Sequence, residues 1–239
     1  MFVVYASFIQ RSIDELLHDI CFQDLPVLIL IDHAGFVSGD GRTHQGVYDL
    51  GMLRALPGLT VWAPCDACEL ADMIRLSGAI KTPRVIRYPK ALPAKIGEGG
   101  FALRWRSLCP GEDTVIISHG QAVPKALETA KRLKETGVSC AVYNASLLKP
   151  LDLQTVKELT SQYALLTVIE EEQSQTGLGA ALATEIARME KAPRLLIFGV
   201  PDIKPQAHSL KGLMLECGME TERIAAAIKG ALHGQEIKN

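Results

Sequence analysis

The second half of the chain alternates strand-like apolar runs with helix-like stretches, and this alternation constrains the fold most strongly. Strands are predicted at 114–118, 140–144, 165–170 and 194–198, and helices at 122–135, 153–162, 180–191 and 220–232. Strands that are separated by helices in this way form parallel sheets with right-handed crossovers. Residues 112–239 are therefore predicted to form a parallel α/β domain.

The first 92 residues predict a second sheet of the same kind. Short apolar runs indicate strands at 2–5, 27–31, 59–63 and 83–88, and helical spacing of apolar residues falls at 9–20, 50–55 and 66–77. Residues 93–111 collect prolines and glycines, as a linker between domains does. The fold class is therefore α/β, with two parallel-sheet domains at 1–92 and 112–239.

Composition places the chain among ordinary globular proteins. Of its 239 residues 48% are hydrophobic and 22% charged, which is typical of soluble domains. The net charge of −2 gives no reason to expect a nucleic acid or an anionic membrane as a partner. No apolar run approaches the roughly 20 residues that cross a bilayer, and the amino terminus is not typical of a secretory signal. A cytoplasmic location is the expectation.

Six scattered cysteines do not suggest a disulfide framework. The pair in Cys65-Asp-Ala-Cys68 lacks the second pair, or the histidines, that a zinc site needs nearby. Asp66 is a plausible helix N-cap in this stretch. The motif is therefore interpreted as a helix start, with metal binding or redox chemistry as the less favoured alternative.

A glycine-rich loop follows the predicted strand 27–31 and reads Ser38-Gly-Asp-Gly-Arg-Thr-His-Gln-Gly46. Three glycines allow the backbone to turn sharply and to approach a ligand closely. Asp40 and His44 place an anionic and a titratable group at the carboxyl end of a strand, where open α/β sheets bind ligands. The alternative is a surface loop in which Asp40 caps a turn and His44 is solvated.

Five segments occur in the order and spacing of one enzyme family. They are Tyr5-Ala-Ser-Phe-Ile-Gln-Arg11, Asp32-His-Ala-Gly35, Asp40-Gly-Arg-Thr-His-Gln-Gly46, Arg87-Tyr-Pro89 and Lys149-Pro-Leu-Asp152. From about residue 2 to about residue 230 the chain resembles the thiamine-diphosphate-dependent transketolase-like enzymes, and among them the 1-deoxy-D-xylulose-5-phosphate synthase family. The resemblance implies a truncated pyrimidine-binding domain followed by a transketolase carboxyl-terminal domain.

The resemblance also implies a reaction and its requirements. These enzymes condense pyruvate with glyceraldehyde 3-phosphate, with loss of carbon dioxide, on thiamine diphosphate and magnesium, for isoprenoid precursor synthesis. The domain that holds the diphosphate and magnesium, and the glutamate that contacts the aminopyrimidine, are expected to lie outside this chain. A homodimer, or a partner chain that brings the missing domain, is expected. The alternatives are a subunit of a split transketolase-like enzyme and an inactive fragment or interaction module.

The resemblance assigns roles to residues near the reaction centre. Tyr5 is expected near the reactive carbon of the cofactor, and Phe8 against the aminopyrimidine, where a flat apolar ring stacks well. His44, with Asp40 beside it, is expected to transfer protons, which a group titrating near neutrality does well. Without the resemblance, Tyr5 and Phe8 would be interpreted as core aromatics. Arg11 is expected either at the cofactor edge or in a salt bridge on a helix face.

The expected substrate phosphate site is altered in this chain. The family has an arginine where this sequence has His33, and histidine offers only a partial charge near neutral pH. Arg42 is a possible substitute, unless it only faces solvent. Arg87 matches a second phosphate-binding arginine, with an ordinary structural ion pair as the alternative.

Two glycine motifs and two histidines are interpreted as structural. Gly39-Asp-Gly41 resembles the start of a magnesium motif, but no asparagine occurs before Asn144, so no metal site is predicted. Gly177-Leu-Gly179 resembles half of a dinucleotide fingerprint, but Leu182 occupies the third glycine position, so a helix start packed closely on its sheet is favoured. His119 and His208 are expected to be structural or solvated, with an approach to the active site across a dimer as the alternative.

Overall fold

A computed structural model describes residues 1–97, 100–206 and 209–234. Its strands are β1 (Phe2–Tyr5), β2 (Leu28–Asp32), β3 (Thr60–Trp62), β4 (Arg84–Arg87), β5 (Arg106–Cys109), β6 (Thr114–Ser118), β7 (Cys140–Asn144), β8 (Leu147–Lys149), β9 (Leu165–Gln173) and β10 (Arg194–Val200). Its helices are α1 (Ala6–Ile9), α2 (Ile13–Glu15), α3 (Asp49–Ala55), α4 (Ala67–Ser77), α5 (Val123–Glu135), α6 (Leu153–Gln162), α7 (Leu178–Ile186), α8 (Leu210–Glu216) and α9 (Thr221–Leu232).

The strands form two five-stranded sheets. The first sheet has the order β1-β2-β4-β3-β8, and the second has the order β10-β9-β6-β7-β5. Within each sheet four strands run parallel, and β8 and β5 are added antiparallel at an edge. The predicted α/β fold with two mostly parallel sheets is confirmed.

The two edge strands were not predicted from the sequence. Strand β5 lies inside the stretch 93–111 that was expected to be a linker, and it pairs with β7 of the second sheet. Strand β8 lies in the second half of the chain but pairs with β3 of the first sheet. Strands of three or four residues are too short to show a reliable alternation of apolar and polar residues. The two sheets are thus joined by the pairing of β8 with β3 as well as by the chain between them.

The predicted helix at 9–20 is a series of short helical pieces. Helix α1 is followed by a 3-10 turn at Gln10–Ser12, by α2, and by a π-helical turn at Leu16–Cys21. Its buried residues, among them Ile9 and Leu16, pack into the core of the first sheet.

Helix α8, whose N-cap Ser209 accepts the N–H of Gly212 at 3.0 Å, was not predicted.

Helix starts follow the capping signals in the sequence. The side chain of Asp66 accepts the backbone N–H of Glu69 at 2.7 Å, and α4 begins at the next residue. The carboxylate of Glu69 accepts the N–H of Cys65 at 2.8 Å in return. The interpretation of the Cys65–Cys68 stretch as a helix start is confirmed. Carboxylates in these positions satisfy the N–H groups that the first helical turn leaves free.

In the described part of the chain, no helix combines the length and the apolar character needed to cross a membrane.

Candidate functional site

The candidate site lies where β1 and β2 end side by side. Tyr5 is the last residue of β1 and is paired in register with Asp32, the last residue of β2. His33 follows at once and adopts a left-handed backbone conformation with φ of 59°, a region that histidine enters more readily than most residues. Parallel strands bring their carboxyl ends to one edge, so residues from distant segments meet there.

Four rings from three segments form one surface, here called the ring cluster: Tyr5, Phe8, His33 and His44. The His33 and Tyr5 rings stack with centroids 4.1 Å apart, and Tyr5 stacks on Phe8 at 5.8 Å. The ring of His44 meets Phe8 edge-on at 5.9 Å. Tyr5 is 39% exposed and Phe8 48% exposed. The two aromatic residues therefore face outward, and the alternative that they are core aromatics is wrong.

Charged side chains surround the ring cluster. His33 Nδ1 lies 2.9 Å from Oδ1 of Asp32, and His33 Nε2 lies 3.8 Å from Oδ2 of Asp40. Lys90 Nζ donates to both carboxylate oxygens of Asp40, at 3.1 and 3.0 Å. The hydrogen bond from Lys90 lowers the pKa of Asp40 below its ordinary value. Asp40 is therefore ionised at neutral pH and lies beside the His33 ring.

The glycine-rich loop is held in shape by the buried side chain of Gln45. Its Oε1 accepts the N–H of Val37 at 2.9 Å, and its Nε2 donates to the carbonyls of Val37 and Gly41 at 2.8 and 3.0 Å. Gly46 forms a two-hydrogen-bond bridge with Gly35, and a Cβ at Gly46 would lie 2.1 Å from the carbonyl oxygen of His33. Only glycine fits there, because the loop returns directly against the end of β2.

Arg87 ends β4 and is buried. Its Nε and Nη2 donate to the two carboxylate oxygens of Asp49 at 3.0 and 2.9 Å, and its Nη1 donates to Glu172. Its Nη2 also donates to the carbonyl of Gly46 at 3.2 Å. These contacts form a structural ion pair, which is the alternative role considered for Arg87 in the sequence analysis. A phosphate-binding role for this arginine stays a prediction.

The second sheet contributes a buried group of ionisable residues beside Arg87. His119 follows β6, and Glu170, Glu171 and Glu172 lie on β9. Nε2 of His119 lies 3.1 Å from Oε2 of Glu172 and 3.9 Å from Oε2 of Glu170. Burial alone would lower the pKa of His119, but the charge of Glu172 and the contacts with Glu170 and Glu172 together outweigh burial, and the pKa rises to about 9. His119 is buried, so the expectation that it could be solvated is wrong.

Glu170 explains the glycines that resemble a dinucleotide fingerprint. Its carboxylate accepts the N–H groups of Leu178 and Gly179 at 2.6 and 3.0 Å, at the start of α7. A Cβ at Gly177 would lie 2.1 Å from Oε2 of Glu170, and one at Gly179 would lie 2.6 Å from the side chain of Ile197. The predicted helix start, packed closely on its sheet, is confirmed.

The remaining predicted residues lie apart from the ring cluster or outside the description. Arg11 and Arg42 are exposed, and neither makes a hydrogen bond or an ion pair with another residue of the described ranges. For Arg42 this agrees with the alternative that it faces solvent. His208 lies outside the described residues.

Three residues of the site were missed by sequence reasoning. Lys90 pairs with Asp40 across 50 positions of sequence, Gln45 shapes the loop, and Glu172 completes the shell around Arg87. Lys90 directly follows the Arg87-Tyr-Pro89 motif, and this was the available signal for it. No local pattern marks Gln45, because the conformation of the loop brings Val37 and Gly41 to it. None marks Glu172 either, because its partner Arg87 lies on the other sheet.

Comparison with known proteins identifies both halves of the chain. The model of the transketolase pyrimidine-binding domain matches residues 1–95, and the model of the transketolase C-terminal domain matches residues 103–224. Curated relatives named 1-deoxy-D-xylulose-5-phosphate synthase include those of Magnetococcus marinus, 36% identical over 96% of this chain, and Aquifex aeolicus, 34% identical over 98%. This chain spans 38% of the length of each of these two relatives.

A solved structure agrees with this assignment. The chain described as "Split gene transketolase, inactive beta4 tetramer" superimposes with a TM-score of 0.88 at 28% identity, over 98% of this chain and 77% of that one. The chain belongs to the thiamine-diphosphate-dependent transketolase-like family, whose pyrimidine-binding and C-terminal domains it contains.

Proposed function

We propose that this chain is the pyrimidine-facing and carboxyl-terminal part of a transferase of the 1-deoxy-D-xylulose-5-phosphate synthase type. The reaction joins pyruvate to glyceraldehyde 3-phosphate with loss of carbon dioxide, a step of isoprenoid precursor synthesis. The main support is that Tyr5, Phe8, His33 and His44, from three separate segments, form one exposed ring cluster at the ends of β1 and β2. In this proposal residues 1–92 and 112–239 are the two domains, and the stretch 93–111 between them also supplies β5 to the second sheet.

The ring cluster fits one end of thiamine diphosphate. The outward faces of Tyr5 and Phe8 offer flat apolar surfaces, and an aminopyrimidine ring stacks favourably on such a face. When bound, thiamine diphosphate supplies the electron sink for breaking the bond beside a ketone. The diphosphate and its magnesium would be held by the part of the enzyme that this chain does not span.

His44, Asp40 and Tyr5 would handle protons at the reaction centre. His44 is half-buried, and its Nδ1 lies 3.1 Å from the hydroxyl of Thr43, which leaves Nε2 free to face a substrate oxygen. Asp40, held by Lys90, would keep a negative charge at the reaction centre. An imidazole that titrates near neutrality can donate and accept protons within one catalytic cycle.

The phosphate of glyceraldehyde 3-phosphate would meet His33 and Arg42. His33 is held between the carboxylates of Asp32 and Asp40. Arg42 is exposed on the glycine-rich loop that also carries Asp40. Arg87 would contribute only after exchanging part of its contact with Asp49 or Glu172 for the phosphate. A phosphate offers the bidentate geometry that favours such an exchange at arginine.

A second candidate is a subunit of a split enzyme, or a non-catalytic partner chain. It is favoured by the similarity to a chain that is described as an inactive tetramer from a split-gene transketolase. In either arrangement another polypeptide supplies the region that the relatives have and this chain does not span. The chain then acts as a homodimer or together with a partner chain.

Turnover in a chimera tests the proposal. The segment that precedes the matched region in the Magnetococcus marinus relative is joined to Met1, and release of carbon dioxide from pyruvate is measured with glyceraldehyde 3-phosphate, thiamine diphosphate and Mg²⁺. We expect release by the chimera and none by the chain alone. His44→Ala should lower the rate by at least about 100-fold, the usual contribution of a general acid–base group.

His18→Ala is the matched control, because His18 is an exposed histidine whose ring contacts only the nearby Asp14 and Phe22 among the described residues. The control should keep the rate of the unaltered chimera. A folded chimera without carbon dioxide release would favour the non-catalytic candidate. Release by the chain alone, or an equal rate in His44→Ala, would contradict the proposed roles.

A further inference from the structure

The buried residues His119, Glu170 and Glu172, here called the His–Glu cluster, bring three metal-binding atoms together away from the ring cluster. One imidazole nitrogen and one oxygen from each carboxylate all lie within 4.8 Å of one another. Glu170 and Glu172 are two positions apart on β9, so their side chains leave the strand on the same face. His119 comes from the end of the adjacent parallel strand β6.

Atoms of the cluster remain without a suitable partner. Nε2 of His119 and Oε2 of Glu172 are buried and 3.1 Å apart, yet neither is in a hydrogen bond of acceptable geometry. Oε1 of the neighbouring Glu171 is a third buried polar atom without a hydrogen bond. His119, Glu171 and Glu172 line one cavity of about 10 Å³, which is the room that a single water or ion occupies. A water or an ion in this cavity would give such buried atoms a partner.

The cluster also brings buried acidic groups close together. Glu172 is paired with Arg87, and Oε2 of Glu170 lies 3.9 Å from Nε2 of His119. A bound cation would offset the cost of burying the two carboxylates side by side.

We propose that the His–Glu cluster binds one divalent transition-metal ion, with Zn²⁺ as the typical occupant. Zinc accepts imidazole nitrogen and carboxylate oxygen at about 2.0–2.2 Å in tetrahedral sites, so its ligand atoms lie about 3.4 Å apart. The observed separations of 3.1 and 3.9 Å bracket that spacing. The nitrogen ligand disfavours Mg²⁺ and Ca²⁺, which prefer oxygen.

Neighbouring groups already hold the carboxylates in place. Arg87 Nη1 donates to Oε1 of Glu172 and leaves Oε2 towards the cavity. The N–H groups of Leu178 and Gly179 hold Glu170. Such outer contacts orient metal ligands and are a regular part of protein metal sites.

Calorimetric titration of Zn²⁺ into the chelator-treated chain tests this site. We expect one Zn²⁺ per chain with a micromolar or lower dissociation constant, and no comparable binding of Mg²⁺. His119→Gln and Glu172→Gln should each weaken binding at least about 100-fold, beyond the 10- to 100-fold typical of changes outside the ligand shell. His18→Gln removes an exposed histidine beside Asp14 and should leave binding unchanged.

The absorption spectrum of the Co²⁺-loaded chain separates this site from binding by cysteine. Cys68 is exposed, and a thiolate ligand would add a sulfur-to-metal charge-transfer band. We expect a Co²⁺ spectrum without that band. Circular dichroism tests whether each variant is folded. If a variant does not fold, the Co²⁺ spectrum of the unaltered chain decides the outcome. Absence of stoichiometric Zn²⁺ binding, a sulfur band, or full binding in a folded His119→Gln variant would overturn the proposal.

Discussion

At the scale of single residues, the site depends on side chains that shape the backbone as well as on those that face outward. His44 and Asp40 face outward, but their loop is fixed by Gln45, which is only 2% exposed. Gln45 satisfies the N–H and carbonyl of Val37 and the carbonyl of Gly41. A buried backbone N–H that loses its partner costs about 1–3 kcal/mol.

Removing the side-chain amide of Gln45 should therefore destabilise both the loop and the fold. Gln45→Ala is expected to lower the free energy of unfolding by about 2–4 kcal/mol, since three hydrogen bonds are lost and Val37 N–H stays buried. Urea denaturation measures the loss. Gln23→Ala is the control, because Gln23 is exposed and makes a single 3.3 Å bond to the carbonyl of His18. Equal losses in the two variants would contradict the role given to Gln45.

At the scale of elements, the start of helix α6 is tied to the segment that leads into strand β5. Asp152 caps α6 by accepting the N–H and hydroxyl of Thr155 at 3.1 and 2.6 Å. It also accepts the N–H of Trp105 at 2.9 Å, just before β5. Burial alone would raise the pKa of Asp152, but the hydrogen bonds from Thr155 and Trp105 outweigh burial and lower the pKa.

This shift makes part of the stability depend on pH. Because the pKa of Asp152 is depressed in the folded state, its contribution is present at neutral pH and is lost as the pH falls through the folded pKa. Asp152→Asn should cost about 1–2 kcal/mol at pH 7, and the difference from the unaltered chain should shrink below pH 3.8, the ordinary value. Urea unfolding between pH 2.5 and 7 measures it, with the exposed Asp14→Asn as control. A difference that does not change with pH would contradict the shift.

Some of the helices and strands could be predicted from the sequence alone, and others could not. Strands such as β6, whose five residues are all buried, and helices with a marked N-cap, such as α4, were predictable from local pattern. The short edge strands β5 and β8 were not, because their partners β7 and β3 lie far from them in sequence. The Lys90 contact was missed because Asp40 lies 50 positions away, and the Gln45 contacts were missed because they depend on the conformation of the loop.

At the scale of the whole molecule, the carboxyl ends of the two sheets face each other across a buried ion-pair network. Arg87 of β4 joins Asp49 of α3 to Glu172 of β9, so both domain halves contribute to one network. Breaking a buried pair of this kind typically costs 3–5 kcal/mol. Arg87 also donates to the carbonyl of Gly46, so this network supports the loop that carries His44 of the ring cluster.

The central claim is that the ring cluster binds the aminopyrimidine end of thiamine diphosphate. Calorimetric titration of thiamine diphosphate with Mg²⁺ into the chimera described above tests it most directly, with Phe8→Ala as the variant. The control is Phe22→Ala, which removes a phenylalanine that is 62% exposed and contacts only the ring of His18 among the described aromatic residues. The account predicts binding that weakens about 10-fold or more in Phe8→Ala, from lost stacking and burial, and stays unchanged in the control. Equal affinity in the Phe8→Ala chimera and the unaltered one would contradict it.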